Sequence, residues 1–201
     1  MERPITIGIP KGYLFDESLS FFKEHGIEVG EIPDRALIFY DKTKRYRFLI
    51  LRPTDVTVYV QNGVVDMGIC GLDIVRETKP DLIVLKDLGF GYCRLAVATD
   101  AKKKDKHFAN GDKVATKFVD STKEFFDKKG IKVDIIKLYG SVELAAITGL
   151  SDYIVDLIAT GKTLKENGLV EVQTIYETTA HLLVNRVFYS LRNETVKQFI
   201  G

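Results

Sequence analysis

The run Tyr153-Ile154-Val155-Asp156-Leu157-Ile158-Ala159-Thr160-Gly161-Lys162-Thr163-Leu164 gathers a carboxylate, two threonine hydroxyls, a glycine and a lysine at the end of an apolar strand. A Thr-Gly-Lys-Thr turn opening a helix aims backbone N–H groups and hydroxyls at one small volume, an arrangement suited to a phosphate monoester. Asp156, four residues before Thr160, is foreign to a pure anion loop. Beside a phosphate, a carboxylate serves to accept hydrogen bonds from sugar hydroxyls, so the two features together point to a phosphoribosyl group. Gly161-Lys162-Thr163 also fits the end of the nucleotide-hydrolase pattern G-x-x-x-x-G-K-[ST]. That pattern demands glycine where Asp156 stands, which excludes the loop as a triphosphate cradle. Taken alone, the segment is equally an ordinary strand-to-helix connection capped by Thr160.

Further segments carry chemistry at expected strand ends, where open α/β sheets bind ligands. In Ile9-Pro10-Lys11-Gly12 a lysine precedes a glycine turn and a helix; a solvated βα loop is the plain alternative. Arg52 offers a planar fork for phosphate, or a surface partner for Asp55. Asp73 ends the glycine-bounded strand that begins at Met67, and Arg94 emerges from the bend Gly89-Phe90-Gly91, whose Phe90 is read as core. Glu143 follows Ser141, either as a first-turn carboxylate or as a ligand-facing acid. His25, His107 and His181 form no nucleophile pattern with serine or cysteine, so hydrolytic chemistry is set aside.

These residues must be held by alternating short β-branched runs and amphipathic segments, the pattern of a sheet flanked by helices and hence of an α/β fold. Strands are expected at Tyr46 to Leu51, Tyr153 to Ile158 and His181 to Val187, among others. Helices are expected at Val119 to Lys128, Val142 to Thr148 and Lys162 to Asn167. The lysine-rich stretch Asp100 to His107 reads as a connection. With 201 residues the chain is long enough for two lobes. Residues 1–97 with 179–201 form the first, and 98–178 the second, with a central cleft expected between them. Apolar residues at 45%, charged residues at 28% and a net charge of +1 are ordinary for a soluble protein and give no global field for nucleic acid. Cys70 and Cys93 have neither metal-ligand spacing nor a disulfide framework. No signal-peptide pattern or membrane-length run is visible, so a cytoplasmic protein without membrane partners is expected.

In this order the segments resemble the ATP phosphoribosyltransferase family. The matching blocks are Pro10-Lys11-Gly12, Arg52-Pro53-Thr54-Asp55 with Tyr59-Val60, Asp66 to Asp73, Leu88 to Leu95, Val114-Ala115-Thr116-Lys117, Gly140 to Leu144 and Gly149 to Leu169. The resemblance implies a two-lobed fold similar to type II periplasmic binding proteins. It implies that adenine N1 of ATP attacks C1 of phosphoribosyl pyrophosphate, with substrate-bound Mg²⁺, as the first step of histidine biosynthesis. Asp156, Ala159, Thr160, Gly161, Lys162 and Thr163, with Glu143, are then expected to hold phosphoribosyl pyrophosphate. Lys11, Arg52, Asp73 and Arg94 are expected on the ATP or pyrophosphate side. No general base is assigned, because the attacking N1 carries no proton. The length resembles the short form of the family, which implies a homodimer within a hetero-oligomer containing a histidyl-tRNA-synthetase-like regulatory subunit. Tyr13 stands where the family usually has arginine, and proline is more usual at Thr57, Val119, Ala146 and Arg186. Two rivals remain: a non-catalytic small-anion or effector-sensing module of the same fold, and a phosphoribosyltransferase acting on a free base.

Overall fold

The computed structural model describes residues 3–200. The strands are β1 Ile5–Pro10, β2 Ile38–Tyr40, β3 Tyr46–Leu51, β4 Met67–Gly71, β5 Ile83–Asp87, β6 Cys93–Asp100, β7 Lys113–Thr116, β8 Asp134–Lys137, β9 Tyr153–Ile158, β10 Leu169–Thr178 and β11 Ala180–Val184. The helices are α1 Phe15–Glu24, α2 Pro53–Gln61, α3 Leu72–Thr78, α4 Val119–Lys128, α5 Glu143–Ile147, α6 Lys162–Glu166, α7 Arg186–Leu191 and α8 Asn193–Lys197. The chain forms two compact units, one running to Gly91 and resuming at Thr179, the other spanning Tyr92–Thr178. The division falls before β6 rather than after residue 97. The reason is that β6 pairs with β9 from Arg94↔Ile158 to Ala98↔Ile154 and with β10 from Cys93 to Asp100, which makes the whole strand part of the second sheet.

In the first unit the sheet order is β2-β3-β1-β4-β11-β5. Strands β1, β3 and β4 are parallel, while β11 runs antiparallel to both of its neighbours. Side chains alternate across the sheet, so Ile7, Ile9 and Phe48 pack with Phe21 and Phe22 of α1. The opposite face carries Leu49, packed with Val56 and Val60 of α2. Pro53 starts α2 at a position whose N–H would have no helical partner anyway. The strand expected over His181 to Val187 stops at Val184. The Asn185 side chain accepts from the N–H groups of Val187 and Phe188, and this cap turns the chain into α7.

The second unit has the order β10-β6-β9-β7-β8, with β7, β8 and β9 parallel and β6 antiparallel to β9. Its two faces are unlike in bulk. Leu95, Val97, Tyr153 and Val155 pack against Phe118 and Phe126 at α4. The other face carries Ala96, Ala98, Ala115 and Ile154, packed against Val142 and Ala145 at α5 and Leu164 of α6. Each buried phenylalanine contributes roughly 1.5–3 kcal/mol on the first face. The alanines fill little volume and leave room beside the strand ends on the second.

The stretch after Asp100 contains a short 3₁₀ turn at Ala101–Lys103, started by the Asp100 side chain accepting from the Lys102 N–H. Lys106 then reaches back to Asp112 at 2.7 Å and Asp152 at 2.9 Å. The Asp112 and Asp152 carboxylates hold the Lys106 ammonium above its usual pKa, and Lys106 in turn lowers that of Asp152. The connection is therefore pinned to the sheet.

Candidate functional site

A pocket of about 200 Å³ lies on the alanine face of the second unit. Ala96, Ala98 and Ile154 form its floor, Asp156 and Glu143 supply carboxylates, and the turn from Ala159 to Thr163 completes it. All seven residues expected to hold the sugar phosphate line this one pocket. The backbone explains why they meet. Asp156 lies opposite Ala96 in the β6–β9 ladder, and residues opposite one another in a ladder share a face, so the carboxylate stands over an alanine rather than a bulky neighbour. Gly161 has φ of 75°, a left-handed conformation that glycine adopts without penalty, and it reverses the chain into α6. Thr160 Oγ1 stands 3.4 Å from the Lys162 N–H. Helix α6 is only five residues long, so its dipole is small, and the polar groups at this end of the pocket are the loop amides, hydroxyls and Lys162. Lys162 makes only a loose 3.8 Å exposed pair with Glu166, which leaves its ammonium able to swing toward an anion.

Asp156 does not stand alone. Its Oδ1 accepts from the Leu157 N–H at 2.8 Å and lies 3.1 Å from Lys117 Nζ. Lys117 follows β7, whose register places Thr116 opposite Val155 and so brings position 117 level with Asp156. The Lys117–Asp156 pair was not expected from the sequence, because it depends on strand register across distant segments. Arg94, expected on the ATP or pyrophosphate side, belongs to this unit and lies beside the loop. Its Nε donates to Glu171 at 2.8 Å, its Nη2 is 2.7 Å from the same carboxylate, and Nη1 donates to the Ala159 carbonyl at 3.3 Å. Thr174 donates to the other Glu171 oxygen at 2.6 Å. The Arg94 hydrogen bond, reinforced by Thr174, holds the Glu171 carboxyl below the usual glutamate range, and Glu171 raises Arg94 in turn.

The other expected residues lie in the first unit. Lys11 follows β1, its N–H bonded to the Leu51 carbonyl at 2.8 Å, and its side chain is exposed. Arg52 stands exposed at the start of α2. Asp73 is 3% exposed in the first turn of α3, and a side chain at Gly71 would collide with its carboxylate. Tyr13 is 62% exposed beside Lys11. Phe90 packs on the apolar core of its unit, as expected. Burial, helped by the Asp73 carboxylate, pushes the Cys70 thiol far above its ordinary pKa and leaves it unreactive. His25 Nδ1 lies 2.7 Å from the Phe21 carbonyl and His181 Nδ1 3.2 Å from that of Thr179, so backbone groups occupy both rings.

Two α/β units built on these sheet orders, one of them holding carboxylates and a Thr-Gly-Lys-Thr turn in a single pocket, define a protein of the type II periplasmic-binding-protein-like fold. The fold is shared with an alkanesulfonate-binding protein from Xanthomonas axonopodis at TM-score 0.56 and 14% identity, covering 98% of this chain and 70% of that one. Closer likenesses narrow the class. Residues 52–201 match the family HisG, ATP phosphoribosyltransferase. The chain is 45% identical to the ATP phosphoribosyltransferase of Citrifermentans bemidjiense, over 98% of its length and 95% of the relative's. It superposes on a chain of the ATP phosphoribosyl transferase (HisG:HisZ) complex from Thermotoga maritima with TM-score 0.83 and 34% identity, covering 98% and 94% of the two chains. The chain belongs to the ATP phosphoribosyltransferase family.

Proposed function

We propose that this chain joins ATP to 5-phosphoribosyl 1-pyrophosphate, giving N1-(5-phosphoribosyl)-ATP and pyrophosphate, the first step of histidine biosynthesis. The observation that carries this reading is the meeting of Asp156 and Glu143 with the Ala159 to Thr163 turn in one pocket of sugar-phosphate chemistry. In it the Asp156 carboxylate accepts hydrogen bonds from the ribose hydroxyls. The amides and hydroxyls of Thr160 to Thr163, with Lys162, receive the 5-phosphate. Adenine N1 forms a bond to ribose C1 as the C1–oxygen bond to pyrophosphate breaks, and pyrophosphate departs with the electron pair. Displacement at an anomeric carbon has oxocarbenium character, so positioning and stabilisation of the leaving charge supply the rate. The pocket's carboxylates help to offset positive charge that develops on the sugar.

The exposed cations Lys11 and Arg52 are suited to ATP or pyrophosphate, whereas Asp73 is buried in the first turn of α3. Mg²⁺ would arrive bound to substrate phosphates, which would supply most of its ligands, and the hard oxygen donors Asp156 and Glu143 would suit it. A regulatory partner resembling histidyl-tRNA synthetase, a homodimeric core and a cytoplasmic site of action complete the reading. It is supported by the structural likeness to a chain from a HisG:HisZ complex, and no helix among the described residues is long and apolar enough to cross a membrane.

The test is to mix the purified chain with ATP, phosphoribosyl pyrophosphate and Mg²⁺, with and without the partner subunit, and to follow the ultraviolet change of N1-substituted adenine. Product in either mixture is expected. Silence in both favours an anion-binding module, and turnover with adenine or orotate in place of ATP favours a free-base transferase.

A further inference from the structure

Arg94 carries an ion pair, a strand register and a loop contact that direct substrate binding does not require. In the β6–β9 ladder it lies opposite Ile158, the last residue of β9, so its side chain reaches past the strand end to the first residue of the loop. Glu171 takes two of its nitrogens, at 2.8 and 2.7 Å, and Thr174 fixes the second oxygen of that carboxylate. The guanidinium, 28% exposed, is thereby held in one plane, with Nη1 on the Ala159 carbonyl. In a trans peptide the carbonyl and the following N–H point in opposite directions. Holding the Ala159 carbonyl toward Arg94 therefore turns the Thr160 N–H away from it, and the next residue, Gly161, reverses the chain.

We infer that Arg94 is a positioning residue for the sugar-phosphate loop: oriented by Glu171 and Thr174, it fixes the Ala159–Thr160 peptide and so the direction of the amide offered to the 5-phosphate. The inference rests on the reading of this pocket as the phosphoribosyl site. It assigns Arg94 a role through the backbone, and it gives Glu171 and Thr174 a part in donor binding although neither lines the pocket. A lysine at position 94 retains the charge but lacks a planar fork able to engage Glu171 and Ala159 together.

Glu171→Gln separates this role from direct anion binding by the sign of its effect. Removing a negative charge near an anion site, and freeing a guanidinium, tightens phosphate or pyrophosphate binding if Arg94 is itself a ligand. If Arg94 positions the loop, the same change weakens it. Titration calorimetry of the full chain with ribose 5-phosphate, phosphoribosyl pyrophosphate, pyrophosphate and ATP, on folded samples checked by thermal melting, reads the difference. Glu171→Gln and Arg94→Lys are each expected to weaken ribose 5-phosphate about tenfold, the scale of one charge-assisted hydrogen bond, and to leave ATP unchanged. Thr174→Val is expected to act in the same direction more weakly, and it serves where an Arg94 variant does not fold. Unchanged or tighter ribose 5-phosphate binding in Glu171→Gln, full retention by Arg94→Lys, or a parallel loss of ATP overturns the inference. Wild-type protein that binds ATP but not ribose 5-phosphate overturns instead the reading of the pocket.

Discussion

Two strand-to-helix turns in this molecule use the same elements and reach different ends. After β1, Lys11 and Gly12 lead toward α1; after β9, Gly161 and Lys162 lead into α6. Both glycines are left-handed, with φ of 96° and 75°. Lys11, Gly12 and Tyr13 stand exposed, and helix α1 begins only at Phe15. The second turn is backed by the alanines of β6, faced by two carboxylates and gripped at Ala159 by Arg94. A glycine and a lysine at a strand end do not by themselves line a pocket. In the second turn small floor residues leave space, two carboxylates face it and Arg94 engages the Ala159 carbonyl.

The sharpest way to break this comparison is Asp156→Ala. Losing a charged acceptor for ribose hydroxyls is expected to weaken phosphoribosyl pyrophosphate about 100-fold in equilibrium binding, with ATP little changed. Equal weakening of both ligands removes Asp156 from the ribose. Next come the two glycines. Gly161→Ala, forced into a left-handed conformation costing about 1–2 kcal/mol, is expected to reduce ribose 5-phosphate affinity about tenfold, whereas Gly12→Ala leaves it within about twofold. A reversed order between the two variants contradicts the distinction. Lys117→Met, which removes a partly exposed pair to Asp156, is expected to reduce the same affinity about threefold. An increase, as when a competitor for the carboxylate is removed, assigns Lys117 the opposite role.

The smallest effect is on pH dependence. Folding lowers the Glu171 pKa, so the folded chain binds fewer protons there than the unfolded one. The stabilising contribution is present above the ordinary glutamate value of about 4.3 and vanishes as pH falls through the lowered folded value. Thermal melts should therefore show wild type above Glu171→Gln near neutrality and the two converging in acid. A difference that grows on acidification has the wrong sign.

How far the sequence reached depends on locality. Strands β3 and β9 and helix α4 fall where apolar alternation and flanking turn residues put them. The Asp156 to Thr163 segment is contiguous in sequence, which is why its gathering into one pocket was legible. Strand β2 went unseen because its three residues, Ile38 and Tyr40 exposed and Phe39 buried, are too few to establish a period. The start of α7 was hidden because apolar Val187 and Phe188 continue the strand pattern, and only the Asn185 cap ends it. Lys117 and Glu171 lie far along the chain from the residues they hold. Strand register brings Lys117 to Asp156, and β10, irregular between Glu171 and Gln173 and again between Thr174 and Tyr176, presents Glu171 to Arg94. No local pattern carries that information. Arg94 itself was visible, but its direction was set by partners that were not.

The most direct measurement is a crystal of the chain soaked with phosphoribosyl pyrophosphate. The account requires the ribose hydroxyls on the Asp156 carboxylate and the 5-phosphate among the amides of Thr160 to Thr163, with Arg94 still bonded to Glu171. A donor bound elsewhere, or one that draws Arg94 off Glu171 onto its own phosphates, contradicts it.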